Sequence, residues 1–542
     1  MNDMQKKFDV VIVGAGFAGM YLLYRLREAG LTAVVLEMGD NVGGTWYWNR
    51  YPGARCDAES LAYSYSFSPE LEQEWTWSER YATQPEILRY AQHVAQRYDL
   101  NRDIRFNQKV NGAVYDDQQR HWTVSTEQGV EVCGQFCVMA TGCLSVPQLP
   151  AIEGVDDFQG ARYQASRWPH EGVDFTGQRV GIIGTGSSGI QAIPVIAQQA
   201  AHLHVFQRTP NYSVPAVNSV LDPKWVEQFK ENYREHRRFH KLGLSGGFGD
   251  LEIKPVAREP AADSAVGLSD EAINEILEQR WQRGGAFFLS GFADAMINPQ
   301  SNEKCAEFVR NKIRTIVKDP VTAETLCPYD HPIGSKRICV DTGYYETYNR
   351  DNVTLVDVRA DPIDKITATG LQTREASYEF DTLVLATGFD AMTGALLGMN
   401  ITGEGGVQLS DAWAEGPKSY LGLGVAGFPN LFTVTGPGSP SVLSNVLVSI
   451  EQHIDWIVEC LGYMREHSYT SVAADLAAQE HWTEHVNDVA NATLFPRGGS
   501  WYLGANVAGK PRVFMPYAAG VGAYREVCDQ VVADGYRGFA FA

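Results

Sequence analysis

The stretch FDVVIVGAGFAG, residues 8–19, decides the fold of this chain. Its first six residues are mostly apolar and β-branched, which is the pattern of a buried strand. Gly14, Gly16 and Gly19 follow in the spacing G-x-G-x-x-G, and an apolar stretch with helical periodicity comes next. These glycines permit a tight turn, a close approach of backbone to a pyrophosphate, and close packing of helix on strand. The stretch therefore predicts a dinucleotide-binding βαβ unit.

The residues after this unit favour FAD over NAD as its ligand. A second strand ends in Glu37, whose carboxylate is placed to accept hydrogen bonds from a ribose diol. Gly43 and Gly44 come soon after it and form a second glycine pair suited to the phosphates of a cofactor. Two later strands both close on Ala-Thr-Gly, at 140–142 and 386–388. Such paired segments are typical of flavoproteins with two dinucleotide domains, where they lie at the domain junction.

A second strand–turn–helix unit occupies residues 178–189 and favours NADPH. Its strand is followed by a second glycine motif and a helical stretch. The next strand ends in Gln207-Arg208-Thr209 with no acid at its tip. A carboxylate there would repel a 2′-phosphate, whereas a guanidinium and a hydroxyl bind one through charge-assisted hydrogen bonds. Lys336 is a plausible second cation. The glycine-motif residues expected to contact NADPH are Gly184, Thr185, Gly186, Ser187, Ser188 and Gly189.

Length and composition set the class of protein. A chain of 542 residues is too long for one hydrophobic core, so two or three domains are expected. The net charge of −20 argues against nucleic-acid or anionic-membrane partners. Residues 1–6 lack the pattern of a signal peptide, and nine cysteines without a repeated spacing indicate reduced thiols in a cytoplasmic enzyme. His453, His481 and His485 are expected to be surface histidines, and no metal is predicted.

The order of these patterns predicts an α/β fold with two Rossmann-like dinucleotide-binding domains and a helical insertion. The expected divisions are an FAD-binding domain at 1–143, an NADPH-binding domain at 144–213 and 335–385, a helical insertion over the substrate cavity at 214–334, and a second part of the FAD-binding domain at 386–542 with a C-terminal lid loop.

Two further segments resemble a known family. The segment FQGARYQASRWP, residues 158–169, is similar to the fingerprint F-x-G-x-x-x-H-x-x-x-W-P of the type I Baeyer–Villiger monooxygenases. The segment GGTWYWNRYPGARCD, residues 43–57, resembles the family's other signature. The likeness runs from Phe8 to near the C-terminus and is closest to phenylacetone and steroid monooxygenases. One departure is Gln164, which stands where the family has a histidine linked to the coupling of NADPH oxidation to oxygenation. Gln keeps hydrogen-bonding capacity but cannot titrate near neutrality.

The resemblance implies an activity and a site. The activity is an NADPH- and O2-dependent conversion of an aromatic or bulky cyclic ketone to an ester or lactone through a flavin C4a-peroxide. Arg337 matches the family's catalytic arginine, which keeps the peroxide anionic, and Asp57 matches the carboxylate that pairs with it. Trp501 matches a lid tryptophan flanked by glycines. The segment 436–445 is similar to a cavity bulge of phenylacetone monooxygenase.

The remaining expected contacts also follow from the resemblance. The cofactor-binding residues expected in addition to the second glycine motif are Gly14, Gly16, Gly19, Glu37, Gly44, Thr45, Trp46, Trp48, Asp57, Tyr63, Val110, Val446, Gln191, Arg208, Thr209, Lys336, Arg337 and Trp501. The expected substrate contacts are Ser441, Val442, Leu443 and Trp501. A monomer is expected.

Three alternatives remain open from the sequence. A flavin monooxygenase of amines or sulfides shares both glycine motifs, but it lacks an equivalent of Arg337 and the Trp168-Pro169 ending of the fingerprint. A flavin disulfide reductase is disfavoured because no closely spaced cysteine pair follows the first helical stretch. A non-catalytic flavin redox sensor is the third, and slow NADPH oxidation that ketone fails to accelerate would favour it.

Overall fold

The structure is a computed structural model, and it describes residues 7–247 and 261–542. Residues 1–6, on which the expected lack of a signal peptide depends, lie outside the described residues. Residues 248–260, part of the predicted insertion, also lie outside them. None of the described helices has the length and apolar character needed to cross a lipid bilayer.

Within the described residues the chain forms twenty strands, β1 to β20 in chain order. Their bounds are Lys7–Val13, Ala33–Leu36, Ile104–Arg105, Val110–Asp116, His121–Thr126, Glu131–Met139, Ala161–Gln164, Arg179–Ile183, His202–Gln207, Ser213–Pro215, Cys339–Asp341, Val353–Asp357, Ile363–Thr367, Gly370–Thr373, Ser377–Glu379, Thr382–Leu385, Asn400–Thr402, Leu431–Thr433, Val472–Ala474 and Phe539–Phe541.

The same residues form sixteen α-helices, α1 to α16 in chain order. Their bounds are Phe17–Glu28, Thr45–Trp48, Pro69–Glu74, Gln84–Arg97, Ser187–Gln199, Pro223–Glu231, Tyr233–Leu242, Asp270–Arg283, Pro299–Ile316, Pro320–Leu326, Tyr344–Thr347, Gly394–Leu397, Leu409–Ala412, Val446–His467, Leu476–Asn491 and Val521–Ala533.

The first sheet is centred on β1 and has the order β17-β4-β5-β6-β1-β2-β3, with β18 also paired to β6. The strand β1 runs parallel to both β2 and β6. Its residues 10–13 are buried on both faces, since Val10 and Ile12 pack in one apolar cluster and Val11 and Val13 pack in another. Burial on both faces explains why β1 is a continuous apolar run rather than an alternating one.

The second sheet has five strands in the order β12-β9-β8-β16-β7, and every pairing is parallel. Val180 and Ile182 of β8 pack with α5 on one face, while Ile183 packs with Phe206 and Phe380 on the other. In each sheet a glycine motif follows the carboxyl end of an inner strand, which is where open α/β sheets bind ligands. The predicted α/β class with two dinucleotide-binding units is confirmed.

The helices between β10 and β11 are anchored to the first part of the chain by a buried ion pair. Arg237 of α7 donates from Nε to Oε1 of Glu72 of α3 over 2.7 Å, and both side chains are 7% exposed. Its guanidinium also donates to the carbonyl oxygen of Ala62 at 3.0 Å. Since each charge is satisfied, this buried pair fixes the position of α7 against the first unit.

Candidate active site

The first glycine turn depends on contacts that only glycine permits. Gly14 has a φ of +103°, and a Cβ there would lie 2.6 Å from the carbonyl oxygen of Ala140. A Cβ on Gly19 would lie 1.9 Å from the carbonyl oxygen of Gly14. Gly16 is the N-cap residue of α1, and a Cβ on Gly44 would lie 2.9 Å from the Cα of Gly16. The turn and the second glycine pair are therefore in direct contact at the N-terminus of a helix, where backbone N–H groups collect.

The second glycine turn repeats this construction. Gly184 has a φ of +113°, and a Cβ there would lie 2.3 Å from the carbonyl oxygen of Ala386. A Cβ on Gly189 would lie 2.2 Å from the carbonyl oxygen of Gly184. Each Ala-Thr-Gly segment noted in the sequence thus begins with an alanine whose carbonyl packs against the first glycine of a motif. That contact is a physical reason for the pairing of the two segments.

Glu37 lies at the tip of β2 and is 5% exposed. Its carboxylate accepts N–H bonds from Ala15 at 2.7 Å and from Gly39 at 2.8 Å. Burial raises the pKa of Glu37, and these backbone donors act against that rise. The carboxylate is therefore held beside the first glycine turn, at the position expected to meet a ribose.

An aromatic segment follows the second glycine pair. Trp46 donates from Nε1 to the hydroxyl of Tyr63 at 3.0 Å, and their rings pack edge to face. The guanidinium of Arg167 lies over the ring of Trp48, 4.2 Å from its centroid. Burial lowers the pKa of Arg167, while the charge of Glu37 raises it. Arg167 belongs to the fingerprint segment but was missed as a site residue, because the motif fixes only its neighbours Trp168 and Pro169.

Arg337 and Asp57 form a bidentate ion pair although 280 residues separate them. Arg337 donates from Nε to Oδ2 of Asp57 at 2.6 Å and from Nη2 to Oδ1 at 2.9 Å. Its Nη1 donates to the carbonyl oxygen of Val442 at 2.6 Å. Burial acts to lower the pKa of Arg337, but the charge and hydrogen bonds of Asp57 outweigh burial and raise it. The guanidinium therefore stays charged at every physiological pH.

Tyr502, which sequence reasoning missed, also contacts this pair. Its side chain hydrogen-bonds Arg337, and burial raises the pKa of its hydroxyl to about 12. The neighbouring Trp501 packs edge to face on Tyr502, with ring centroids 4.4 Å apart. A Cβ on Gly498 would lie 2.5 Å from the carbonyl oxygen of Ser335, so this loop packs directly on the segment that carries Arg337.

The predicted substrate contacts lie around the same pair. Val442 and Tyr502 share a buried apolar cluster, against which Leu443 and Trp501 pack. Ser441 has a φ of +42°, and its hydroxyl lies 3.0 Å from the thiol of Cys143. The structure thus brings together the residues expected to contact substrate with the expected catalytic arginine.

The two nucleotide units meet at a polar joint. The Oε1 atom of Gln191, in α5, accepts from the hydroxyl of Tyr51 at 2.9 Å, and its Nε2 donates to the carbonyl oxygen of Arg55 at 3.1 Å. Gly53 has a φ of +78°, and a Cβ there would lie 2.4 Å from the carbonyl oxygen of Gln191. The second glycine helix is therefore fixed to the segment that ends in Asp57.

The remaining predicted residues are spread around these contacts. Thr45 is the first residue of α2, Val110 begins β4, and Val446 is the first residue of α14. The hydroxyl of Thr185 donates to the carbonyl oxygen of Thr209 at 3.2 Å, so the second glycine turn and the tip of β9 are joined. Among the described residues no three His, Cys, Asp or Glu side chains are grouped as metal ligands would be.

One prediction about histidines was wrong. His453 is fully buried in α14, where its Nδ1 accepts from the backbone N–H of Thr435 at 2.9 Å. Burial lowers its pKa to about 3, so it is a neutral core residue rather than a surface histidine. The error has a physical cause: α14 is buried on most of its circumference, and a single helical stretch does not reveal how many neighbours surround it.

Comparisons with known proteins place this chain in a family. Residues 11–244 match the model of the pyridine nucleotide-disulphide oxidoreductases. A Baeyer–Villiger monooxygenase of Pseudooceanicola batsensis is 42% identical over 98% of this chain and 95% of its own. Phenazine N-monooxygenase PhzNO1 of Lysobacter antibioticus is 39% identical over 99% of this chain and 97% of its own. The solved structure of oxidized steroid monooxygenase bound to NADP is 50% identical, covers 99% of both chains and has a TM-score of 0.93. The chain therefore belongs to the Baeyer–Villiger and related flavin monooxygenases and is an enzyme that uses FAD and NADPH.

Proposed function

We propose that this enzyme inserts one oxygen atom of O2 beside the carbonyl of an aromatic or bulky cyclic ketone, which yields an ester or a lactone. The observation that carries the proposal is the Arg337–Asp57 pair, a permanently charged guanidinium held beside the predicted substrate contacts Val442 and Trp501. A fixed cation of this kind stabilises negative charge that develops on oxygen during such a reaction.

The glycine turns fit the phosphates of two dinucleotides. Gly16 and Gly186 are the N-cap residues of α1 and α5, and because they have no side chains, neither cap covers the N–H groups of its helix start. A Cβ on Gly186 would meet nothing within 4 Å, which leaves space for a pyrophosphate above that helix. When bound, FAD would activate oxygen and NADPH would supply the reducing equivalents.

The roles proposed for individual residues follow from these positions. Those proposed to hold FAD are Gly14, Gly16, Gly19, Glu37, Gly44, Thr45, Trp46, Trp48, Tyr63, Val110 and Val446. Those proposed to hold NADPH are Gly184, Thr185, Gly186, Ser187, Ser188, Gly189, Gln191, Arg208, Thr209, Lys336 and Trp501. Asp57 and Arg337 would face both cofactors.

The chain's own contribution to the chemistry is electrostatic and steric. Arg337 would hold the carbonyl oxygen of the substrate as it gains negative charge, and Asp57 would keep the guanidinium in one orientation through two hydrogen bonds. Trp501 would act as a lid that excludes water, since Gly499 and Gly504 flank it with φ of +53° and +69°. Ser441, Val442 and Leu443 would contact the substrate.

The division of the chain into domains is proposed on the same grounds. Residues 1–143 and 386–542 would hold FAD, since β17 and β18 join the sheet that carries the first glycine turn. Residues 144–213 and 335–385 would hold NADPH, and 214–334 would cover the substrate. A monomer in the cytoplasm is the proposed state, and the nine cysteines, all free thiols, agree with a reducing compartment.

The test separates cofactor reduction from oxygen insertion. We expect Arg337→Ala to leave the flavin reducible by NADPH under anaerobic conditions and to abolish ester formation, measured by gas chromatography across a panel of ketones. Arg374→Ala, which removes an exposed arginine from the second unit, is the matched control and should retain both activities. Ester product from Arg337→Ala would refute the proposed role of Arg337.

A second candidate function is oxygenation of a ring nitrogen, because a phenazine N-monooxygenase is among the relatives. The same panel should then include a planar N-heteroaromatic compound. N-oxide formation without any ester or lactone would favour this candidate over ketone oxidation.

A further inference from the structure

A group of cations lies at the carboxyl ends of two neighbouring strands of the second sheet. Arg208 and Thr209 follow β9, and Arg359 follows β12, which pairs with β9 in parallel register. The backbone N–H of Val358 donates to the carbonyl oxygen of Gln207 at 3.0 Å, so the two loops continue side by side. Arg359 could not be predicted from sequence, because the parallel pairing of β9 with a strand about 150 residues later is visible only in the sheet.

Arg359 contacts both residues already proposed to meet the 2′-phosphate of NADPH. Its Nε donates to the carbonyl oxygen of Arg208 at 3.1 Å, and its Nη2 lies 3.4 Å from the hydroxyl oxygen of Thr209. Its side chain is 51% exposed, so the guanidinium is accessible to a ligand in the same loop cluster. The arginine therefore shapes the turn that carries Arg208 and adds its own charge to it.

Asp330 holds Arg359 in this position. Arg359 donates from Nη2 to Oδ2 of Asp330 at 2.9 Å, and Oδ1 of the same carboxylate lies 2.6 Å from Nδ1 of His331. Because burial lowers the pKa of His331, the imidazole is neutral at physiological pH, and its Nδ1 must carry the proton that the carboxylate accepts. Asp330 is thus fixed on one side by His331 and orients the guanidinium on the other.

The charges around Lys336 favour an anion. Burial lowers the pKa of Lys336, and Arg208 and Arg359 lower it further, while Asp330 opposes them. Three cations, Arg208, Lys336 and Arg359, lie near the carboxylate of Asp330, and the carboxylate of Asp357 accepts the backbone N–H of Arg359 at 2.8 Å. With both carboxylates counted, the cluster keeps a net charge of +1 on a chain with a net charge of −20. A phosphate monoester carries about −1.5 to −2 at neutral pH, so a cluster with a net positive charge attracts it.

We infer that Arg359 is a specificity-determining residue for NADPH: it provides the third cation for the 2′-phosphate, and Asp330 is its positioning residue. Without Arg359 the cluster would have no net positive charge, and Asp330 would face the phosphate without its guanidinium partner. NADH has a ribose hydroxyl at this place, so its binding does not depend on that charge.

The test measures binding rather than turnover. Isothermal titration of the FAD-loaded enzyme with NADP+ and with NAD+ gives two dissociation constants for each variant. We expect Arg359→Gln to weaken NADP+ binding about tenfold, equivalent to about 1.4 kcal/mol, with NAD+ binding changed less than about twofold. Arg359→Glu should weaken NADP+ binding further and again spare NAD+. Arg350→Gln, at the opposite end of β12, is the matched control and should change neither constant.

Salt dependence gives a second readout that a purely structural role would not change. The dissociation constant of NADP+ should rise less steeply with ionic strength in Arg359→Gln than in the parent, because one fewer cation meets the phosphate. Equal weakening of NADP+ and NAD+ in both Arg359 variants, or no change in either, would overturn the inference.

Discussion

The coupling between Arg337 and Asp57 is the property of this site most open to measurement. Asp57→Asn removes the negative charge and keeps the shape of the side chain, while Arg337→Met removes the positive charge and keeps most of the stem. The two single variants and the double variant complete a double-mutant cycle. The cycle isolates the interaction free energy of the pair from the other effects of each substitution.

The expected magnitude follows from geometry and burial. The pair has two charge-assisted hydrogen bonds, at 2.6 and 2.9 Å, each worth about 1.5–3 kcal/mol when desolvated. The side chains are 21% and 22% exposed, so solvent screening reduces that sum. We therefore expect a coupling free energy of about 2 kcal/mol. Lys109 and Glu127 form a control pair at 2.6 Å with side chains 51% and 47% exposed, and their coupling should stay below about 1 kcal/mol.

The assay is urea unfolding of each FAD-loaded variant, with the midpoint and slope read from protein fluorescence. Each single change should be destabilising, because each leaves the charge of the other side chain in a largely buried place without its partner. A coupling free energy for Arg337 and Asp57 no larger than that of the control pair would refute the reasoning that burial makes this pair strong.

Three further outcomes are expected. Gly44→Ala places a Cβ 2.9 Å from the Cα of Gly16 at a φ of +53°, so FAD should bind about tenfold more weakly in a fluorescence titration. In the control Gly462→Ala, the added Cβ meets nothing within 4 Å, and FAD binding should be unchanged. Burial raises the pKa of Asp341 from its ordinary value of 3.8 to about 6, so the unfolded chain ionises first and stability is lost as pH rises from about 4 to about 6; Asp341→Asn should gain stability over the parent at about pH 8 and show little gain at about pH 3, and equal gains at both would contradict this. Gln164→His should raise the ratio of product formed to NADPH consumed, because the fingerprint that the segment resembles has at this position a histidine linked to coupling; an unchanged ratio would remove this residue from coupling.

The parts of the fold that could be predicted from sequence are those determined by residues next to one another in the chain. The glycine turn at 14–19 could be placed because an apolar strand, three glycines and a helical period stand next to one another. The contact of Arg337 with Asp57 spans 280 residues, and only resemblance to a family suggested it. Sequence spacing carries no information about which loops of parallel strands meet, and this is why Arg359 went unnoticed.

The second limit on prediction from sequence was the burial of individual side chains. His453 lies on a helical stretch without a set of metal ligands, which predicts a surface histidine, but α14 packs against α1 and α16 and has few exposed positions. The contact of Tyr502, next to Trp501, could not be predicted because neither residue type nor spacing indicates which of two adjacent aromatic rings turns inward. Such choices are made by tertiary packing, which periodicity within one segment does not report.

The amide of Gln191 has a mechanical consequence. From α5, this amide is hydrogen-bonded to Tyr51 and to Arg55. Asp57, the partner of Arg337, lies two residues after Arg55. Any rotation of α5 must either carry that short segment along or break its hydrogen bonds. A rotation of the unit proposed to bind NADPH would therefore displace the carboxylate of Asp57, which orients the guanidinium of Arg337. A movement at one cofactor site would in this way shift a charge at the other.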